Sequence, residues 1–314
     1  MFIFWLLFLA LVGIILLLDL GVFNKNDHVI GVKEALRWTL VWVVVSLAFG
    51  VGIYFLYGYG LVEGPKGPVE GGEAALEYLT GYVIEKSLSL DNIFVMAAIF
   101  SYFRIPQMFQ HRVLFWGILG AIVLRGIFIF GGTALILHFE WLMYVFGAVL
   151  IFSAAKMLFG KEGGKDLEKN AVVRLCQKFL PVTTKIEGHS FFIRENGKVF
   201  ITPLLVALFV IESTDVLFAV DSIPAIFAVT LDPFIVFTSN IMAILGLRSL
   251  YFALAAMLKK FTKLKYAIIF ILAFVGVKML TAEFYCIPTS ASLATIIVAL
   301  LVGIMASLFK KTAQ

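Results

Sequence analysis

The sequence predicts an all-α polytopic membrane protein of about nine transmembrane helices, built around a three-plus-three inverted repeat (spans 3–5 and 6–8). Three observations predict it. The 314 residues are 62% hydrophobic with a mean hydropathy of +1.03, far above a water-soluble domain. Apolar runs of about 20 residues, the length that crosses a bilayer, recur along the whole chain. The segments joining them alternate between basic and almost non-basic, as loops on alternate faces of a membrane do.

The first run, 2–23, lacks a basic leading region and a small-residue cleavage site, so it reads as a span and not as a signal peptide. Further spans fall at about 36–60, 76–102, 112–137, 141–160, 203–229, 234–258, 265–286 and 289–309. Thr202-Pro203 and Asp232-Pro233 mark two of the starts, a capping residue followed by proline at the first helical position. Basic residues collect in alternate connections: Lys25, Lys33 and Arg37; then Arg104 and Arg112; then eight over 161–202; then Lys259, Lys260, Lys263 and Lys265; and finally Lys310 and Lys311. Segment 61–75 instead carries Glu63, Glu70 and Glu73 against Lys66. The expectation is a multi-pass protein of the plasma (inner) membrane, N-terminus outside and C-terminus cytoplasmic. Its net charge of +5 is thereby a matter of topology, with no nucleic-acid partner implied.

Segment 161–202 is expected to be a cytoplasmic connection. Phe191–Glu195 and Lys198–Thr202 flank Asn196-Gly197, a strong hairpin signal. Before them, Asn170–Leu180 has the pattern of a short basic amphipathic helix. A structured linker is the simpler reading of this segment than a regulatory domain.

The organisation is one transmembrane domain over 1–314, with repeat 1 at 76–160, repeat 2 at 203–286 and a last span at 289–309. Glu85 and Asp91 match Asp215 and Asp221 at an offset of 130. Leu119–Arg125 resembles Leu245–Arg248, and Phe146–Leu158 resembles Phe270–Leu280, each ending in Lys-Met-Leu. Each unit has carboxylates on its first span, arginine on its second and lysine on its third. Three spans are an odd number, so consecutive copies have opposite orientation, as in many secondary transporters.

Carboxylates inside spans cost roughly 2.5–3.5 kcal/mol on insertion scales and usually face the bundle interior or an aqueous path. Spans 3 and 6 carry Glu85, Asp91 and Asn92, and Glu212, Asp215 and Asp221, the candidate metal ligands. Packed side by side, the two spans would surround a small volume with oxygen atoms. Pro224 removes a helix hydrogen bond and crowds the Val220 carbonyl, offering a backbone oxygen beside Asp221. Ser222, Arg125, Arg248, Asn240 and Asp19 complete the candidate supporting set. His28, His111, His138 and His189 fall in loops or at span ends, and neither Cys176 nor Cys286 lies near the motifs. An oxygen-only site suits a hard cation, Mn²⁺, Mg²⁺ or Ca²⁺, more than Zn²⁺ or Cu⁺. Clustered carboxylates also resist ionising together, so protons are expected to compete with the metal. The competing reading is a salt-bridge network that joins the repeats, and it suits Arg125 and Arg248 better than it suits Asp91 and Asp221.

The stretches Thr80–Phe94, Glu212–Val229 and Asp232–Tyr251 resemble the TerC/Alx family of integral membrane proteins, over nearly the whole chain. The resemblance is nearest to Alx-type manganese exporters. It implies Mn²⁺ as the transported substrate, efflux from the cytoplasm, and the residues matching Glu85, Asp91, Glu212, Asp215 and Asp221 as the functional set. A second expectation is a membrane interaction protein in contact with the secretion machinery, its acidic cluster structural. An enzyme is not expected: Gly-x-Gly-Asp is absent and no span offers a histidine base.

Overall fold

The computed structural model describes residues 2–21, 31–65, 67–160, 171–195, 197–255, 263–285 and 287–309. They form eleven helices and one hairpin: α1 (Phe2–Gly21), α2 (Val32–Gly58), α3 (Gly71–Tyr102), α4 (Gln107–His138), α5 (Leu142–Phe159), α6 (Ala171–Phe179), β1 (Phe192–Glu195), β2 (Lys198–Ile201), α7 (Pro203–Phe227), α8 (Pro233–Leu245), α9 (Leu247–Ala255), α10 (Leu264–Leu280) and α11 (Thr289–Leu308). Leu, Ile, Val and Phe continue around every face of the long helices, which is how a helix reads when it is surrounded by lipid or by other helices.

Among the described residues, α2, α4, α5, α7 and the stretch Thr289–Ser307 of α11 are long and apolar enough to cross a membrane; α8 and α9 make a sixth if taken as one bent span. α3 falls outside that set because Glu73, Glu77, Glu85, Lys86 and Asp91 interrupt its apolar character. α10 has 17 residues, and the described apolar stretch of α1 is Phe2–Leu17.

The span expected at 234–258 is not a single helix. It turns by 40° at Gly246, between α8 and α9. The break releases helix carbonyls, and side chains from other helices take them up. Lys86 of α3 donates to the Ala243 carbonyl at 3.1 Å, and the Ser46 hydroxyl of α2 lies 3.4 Å from the Met242 carbonyl. A Cβ on residue 246 would come within 2.9 Å of Lys86 Nζ and 3.1 Å of Trp42 Cβ, so glycine leaves room for both partners.

α3 packs along α2, α7 and α8; α4 packs along α7 and α8; α5 packs along α10. The α5–α10 crossing is close: a Cβ at Gly276 would sit 2.9 Å from the Gly147 carbonyl, and one at Gly147 3.1 Å from that of Gly276. Small residues that let backbones approach are the usual basis of helix association in lipid. α1 docks through aromatic rings, Trp5 and Phe8 lying against Phe234 and Phe237.

In the 161–202 connection, α6 and the hairpin stand where expected, with Phe192 opposite Ile201 and Glu195 opposite Lys198. Gly197 has φ of +79°, the left-handed turn conformation glycine favours; Asn196 and residues 161–170 lie outside the described residues.

The two proline-marked helix starts differ. Asp232 caps α8 by accepting from the amides of Phe234 and Ile235, and the Tyr57 hydroxyl donates to its other oxygen at 2.8 Å. Burial raises the Asp232 carboxyl above the usual range, opposed by the Tyr57 hydroxyl and the two amides. Thr202 makes no such cap; its hydroxyl turns back to the carbonyls of Ser190 and Phe191 and ties the hairpin to α7. Asp232→Ala is expected to lower stability by about 1–2 kcal/mol through loss of the cap and of the Tyr57 bond. Asp232→Asn should keep most of it. Thermal unfolding in detergent decides the matter, and an alanine variant that melts with the parent protein would refute the capping role.

Candidate functional site

The site begins with one guanidinium. Arg125, on α4, is 1% exposed. Its Nη2 donates to Asp215 Oδ1 at 3.0 Å and its Nε to Asp215 Oδ2 at 3.4 Å. Its Nη1 donates to Glu85 Oε1, to Asn240 Oδ1 at 3.1 Å and to Ser222 Oγ at 3.3 Å. Asn240 Nδ2 then donates to Glu85 Oε2 at 3.0 Å. A planar fork of five donors is the side chain that can satisfy acceptors from three helices at once. α3, α7 and α8 each supply at least one.

Beside this network lies a cavity of about 40 Å³. Its polar wall is Glu85, Asp91 and Asn92 from α3, Asp221 and Ser222 from α7, and Arg125; Leu88, Met157, Phe218, Ile268 and Leu272 close it. That is room for about one water-sized occupant. Among the described residues neither Asp91 nor Asp221 is in an ion pair. Asp221 accepts from the Ser153 hydroxyl of α5 at 2.6 Å. Asn92 is 3% exposed, and its Oδ1 is buried without a hydrogen-bond partner.

The six candidate ligands are thus divided. Glu85 and Asp215 are taken up by Arg125. Asp91, Asn92 and Asp221 line the cavity, which Glu85 also borders. Glu212, one turn before Asp215, points instead at α4, where its carboxylate rests on the backbone of Gly120 and leaves no space for a Cβ there. Its Oε2 is buried without a hydrogen-bond partner. Among the described residues no three His, Cys, Asp or Glu side chains converge as a metal-holding group. The single shell of oxygens expected from helix phase is therefore not formed, because a buried guanidinium competes for the same carboxylates.

The supporting residues also divide. Ser222 and Asn240 join the Arg125 network. Arg248 lines a second cavity, of about 20 Å³, with Asp215. Val220, whose carbonyl was the expected backbone ligand, is 45% exposed and is not among the described residues that line the cavity. Pro224 is buried, and α7 runs unbroken past it from Pro203 to Phe227. The Asp19 side chain lies outside the described residues. Sequence reasoning missed Lys86 as the partner of the α8 break, and it missed Ser153 and Met157. The Lys-Met-Leu match between the repeats was the available signal for α5.

Residues 70–314 match the family model described as Integral membrane protein TerC family. An uncharacterized membrane protein of Myxococcus xanthus is 49% identical over 306 residues, 98% of this chain and 92% of its own. Proteins of Salmonella typhi and Escherichia coli (strain K12), each named "Putative membrane-bound redox modulator Alx", are 46% and 45% identical over 290 residues. Those matches span 92% of this chain and 88% and 89% of theirs. No solved structure matches the chain.

Removing the cation from a buried network strands two carboxylates, typically at 3–5 kcal/mol, whereas replacing the whole network with neutral groups is far better tolerated. Arg125→Gln should therefore lower the yield and unfolding temperature of detergent-solubilised protein sharply. The combination Arg125→Met, Glu85→Gln and Asp215→Asn should recover most of the loss. A triple variant no more stable than Arg125→Gln would contradict this account.

Proposed function

The chain belongs to the TerC family of integral membrane proteins, and on that premise we propose that it is a secondary transporter exporting a divalent cation, manganese, from the cytoplasm. One observation carries the reading. Two acidic helices, α3 and α7, each give one carboxylate to Arg125 and another to a cavity with room for about one water-sized occupant. In this reading Arg125, Glu85 and Asp215 are the strut. Asp91 and Asp221 bind the cation, with Asn92 and Ser222 as neutral oxygens beside them. Oxygen ligands of this kind suit Mn²⁺, with Mg²⁺ and Ca²⁺ as competitors.

The helix pairing supports an inverted repeat: α3 lies on α8 as α7 lies on α4, and the third helices, α5 and α10, lie on each other. In the proposed topology all nine apolar segments cross the inner membrane, with the broken α8–α9 pair as one of them and the basic connections in the cytoplasm. Each rocking of one repeat against the other would open the cavity to a different side. Protons and metal competing for Asp91 and Asp221 make proton antiport the natural coupling. Nothing in the site calls for bond-making chemistry, so the protein is read as a carrier and not an enzyme.

A specific observation also favours a second reading. Every nitrogen of the Arg125 guanidinium has an acceptor, as in a structural network, and this suits a membrane interaction protein at the secretion machinery. Transport by purified protein in liposomes, with metal and pH gradients imposed separately, separates the two. Mn²⁺ flux is expected to follow an imposed pH gradient. Asp91→Asn and Asp221→Asn should each lower it by roughly 10–100-fold, the loss typical of disturbed metal sites. Flux unaltered in both variants would sink the transporter reading, and flux indifferent to the pH gradient would remove proton antiport from it.

A further inference from the structure

We propose that Met157 sets the ion preference of the cavity, so that it takes a thiophilic or first-row transition ion ahead of Mg²⁺ and Ca²⁺. The proposal rests on the cation-binding role of the cavity given above and narrows the class of substrate.

The oxygen atoms around the cavity do not by themselves discriminate. Carboxylate, amide and hydroxyl groups suit manganese, magnesium and calcium alike. Among the described residues that line it, Met157 alone carries sulfur. Its position is not incidental to the polar wall. Ser153 and Met157 stand one turn apart on α5, and therefore on one face, and that face meets Asp221: Ser153 donates to the carboxylate, while Met157 borders the same cavity. The same cavity is lined by Asn92, which is 3% exposed and whose Oδ1 has no hydrogen-bond partner. A buried acceptor of that kind at a cavity wall calls for a cation or a donor inside it.

A thioether is a soft, weak, neutral ligand. Magnesium and calcium take oxygen, and a sulfur at the wall offers them nothing in exchange for a lost water. A transition ion, or a softer ion, loses less by the same exchange. A site built for calcium would place a carbonyl or carboxamide where this one has Met157. The repeat sharpens the contrast. Met279, the counterpart of Met157 in the second Lys-Met-Leu, is 1% exposed and packs in the apolar core away from the cavity. Of these two methionines, Met157 lines the cavity and Met279 does not.

Methionine also fills irregular space, and leucine would do that equally well. The decisive experiment is equilibrium binding to the purified full chain in detergent, using Cd²⁺ and Ca²⁺, which are close in size and differ in softness, with Mn²⁺ and Mg²⁺ as a second such comparison. The parent protein should prefer Cd²⁺ to Ca²⁺ and Mn²⁺ to Mg²⁺. Met157→Leu, confirmed folded by circular dichroism and gel filtration, should lose roughly tenfold of the Cd²⁺ preference. Met157→Cys should keep it. An unchanged Cd²⁺ to Ca²⁺ ratio in Met157→Leu overturns the proposal, as does a parent protein that binds none of the four ions. Flux in liposomes is scored separately. Binding that shifts with Met157 but no flux would leave the selectivity role standing and remove the transport reading; flux with an unshifted ranking would do the reverse.

Discussion

Everything in this bundle is arranged around the need to satisfy Arg125. A guanidinium at membrane depth cannot be left to lipid, and its five donors must find acceptors within side-chain reach. Here the acceptors come from α3, α7 and α8, so one side chain on α4 fixes the mutual height and rotation of four helices. Apolar packing alone would not do this. In lipid the flanks of these helices gain little by touching each other rather than acyl chains, and close approach and polar contacts decide which faces meet. Slide α3 by one turn and Glu85 leaves the guanidinium; rotate α8 and Asn240 no longer bridges Arg125 to Glu85. The network is at once the strongest reason for this helix arrangement and the most exacting constraint on it.

That constraint also explains why the acidic residues take different parts. On both α3 and α7 a second carboxylate follows the first by six residues: Asp91 after Glu85, and Asp221 after Asp215. Six residues on a helix is a rotation of about 240° and a rise of about 9 Å. A carboxylate so placed cannot reach the same guanidinium as its partner. It is left for the cavity, whose wall holds Asp91, Asn92 and Asp221, none of them bonded to the guanidinium. Fixed charge and exchangeable charge are thus separated by helix geometry.

The element positions and the two acidic helices were legible in the sequence because hydropathy and charge placement are local signals. The hairpin at Gly197 and the short amphipathic helix 171–179 were legible for the same reason. Which carboxylate meets which cation was not. Glu85, Asp91, Glu212, Asp215 and Asp221 look alike as residues, and their division depends on α4 and α8, whose contributions (Arg125, Asn240 and the bare backbone at Gly120) come from far along the chain. Pro224 misled for an instructive reason. Proline marks a missing hydrogen bond, but α7 is held on several sides and continues through it. Gly246, an unremarkable glycine in an apolar run, is where the helix turns.

Two glycines in similar sequence settings, Gly120 after Leu119 and Gly246 after Leu245, sit in helices of different course. Each leaves a gap into which an acidic helix, α7 at Gly120 and α3 at Gly246, inserts one ionisable side chain. At Gly120 the insert is Glu212. At Gly246 it is Lys86. The chemistry of each insert fits the course of the backbone beside it. An ammonium donates, so it can take up a carbonyl that a helix break releases at its negative end, and Lys86 does so at Ala243. A carboxylate cannot donate when ionised and would repel those same carbonyls. α4, which receives the carboxylate, therefore keeps its own hydrogen bonds and runs straight from Gln107 to His138, while α8 ends and α9 begins at the glycine that receives the lysine. The continuous helix receives a carboxylate and the broken one an ammonium, and the broken one carries Asn240 into contact with Arg125 and leaves Arg248 beside Asp215.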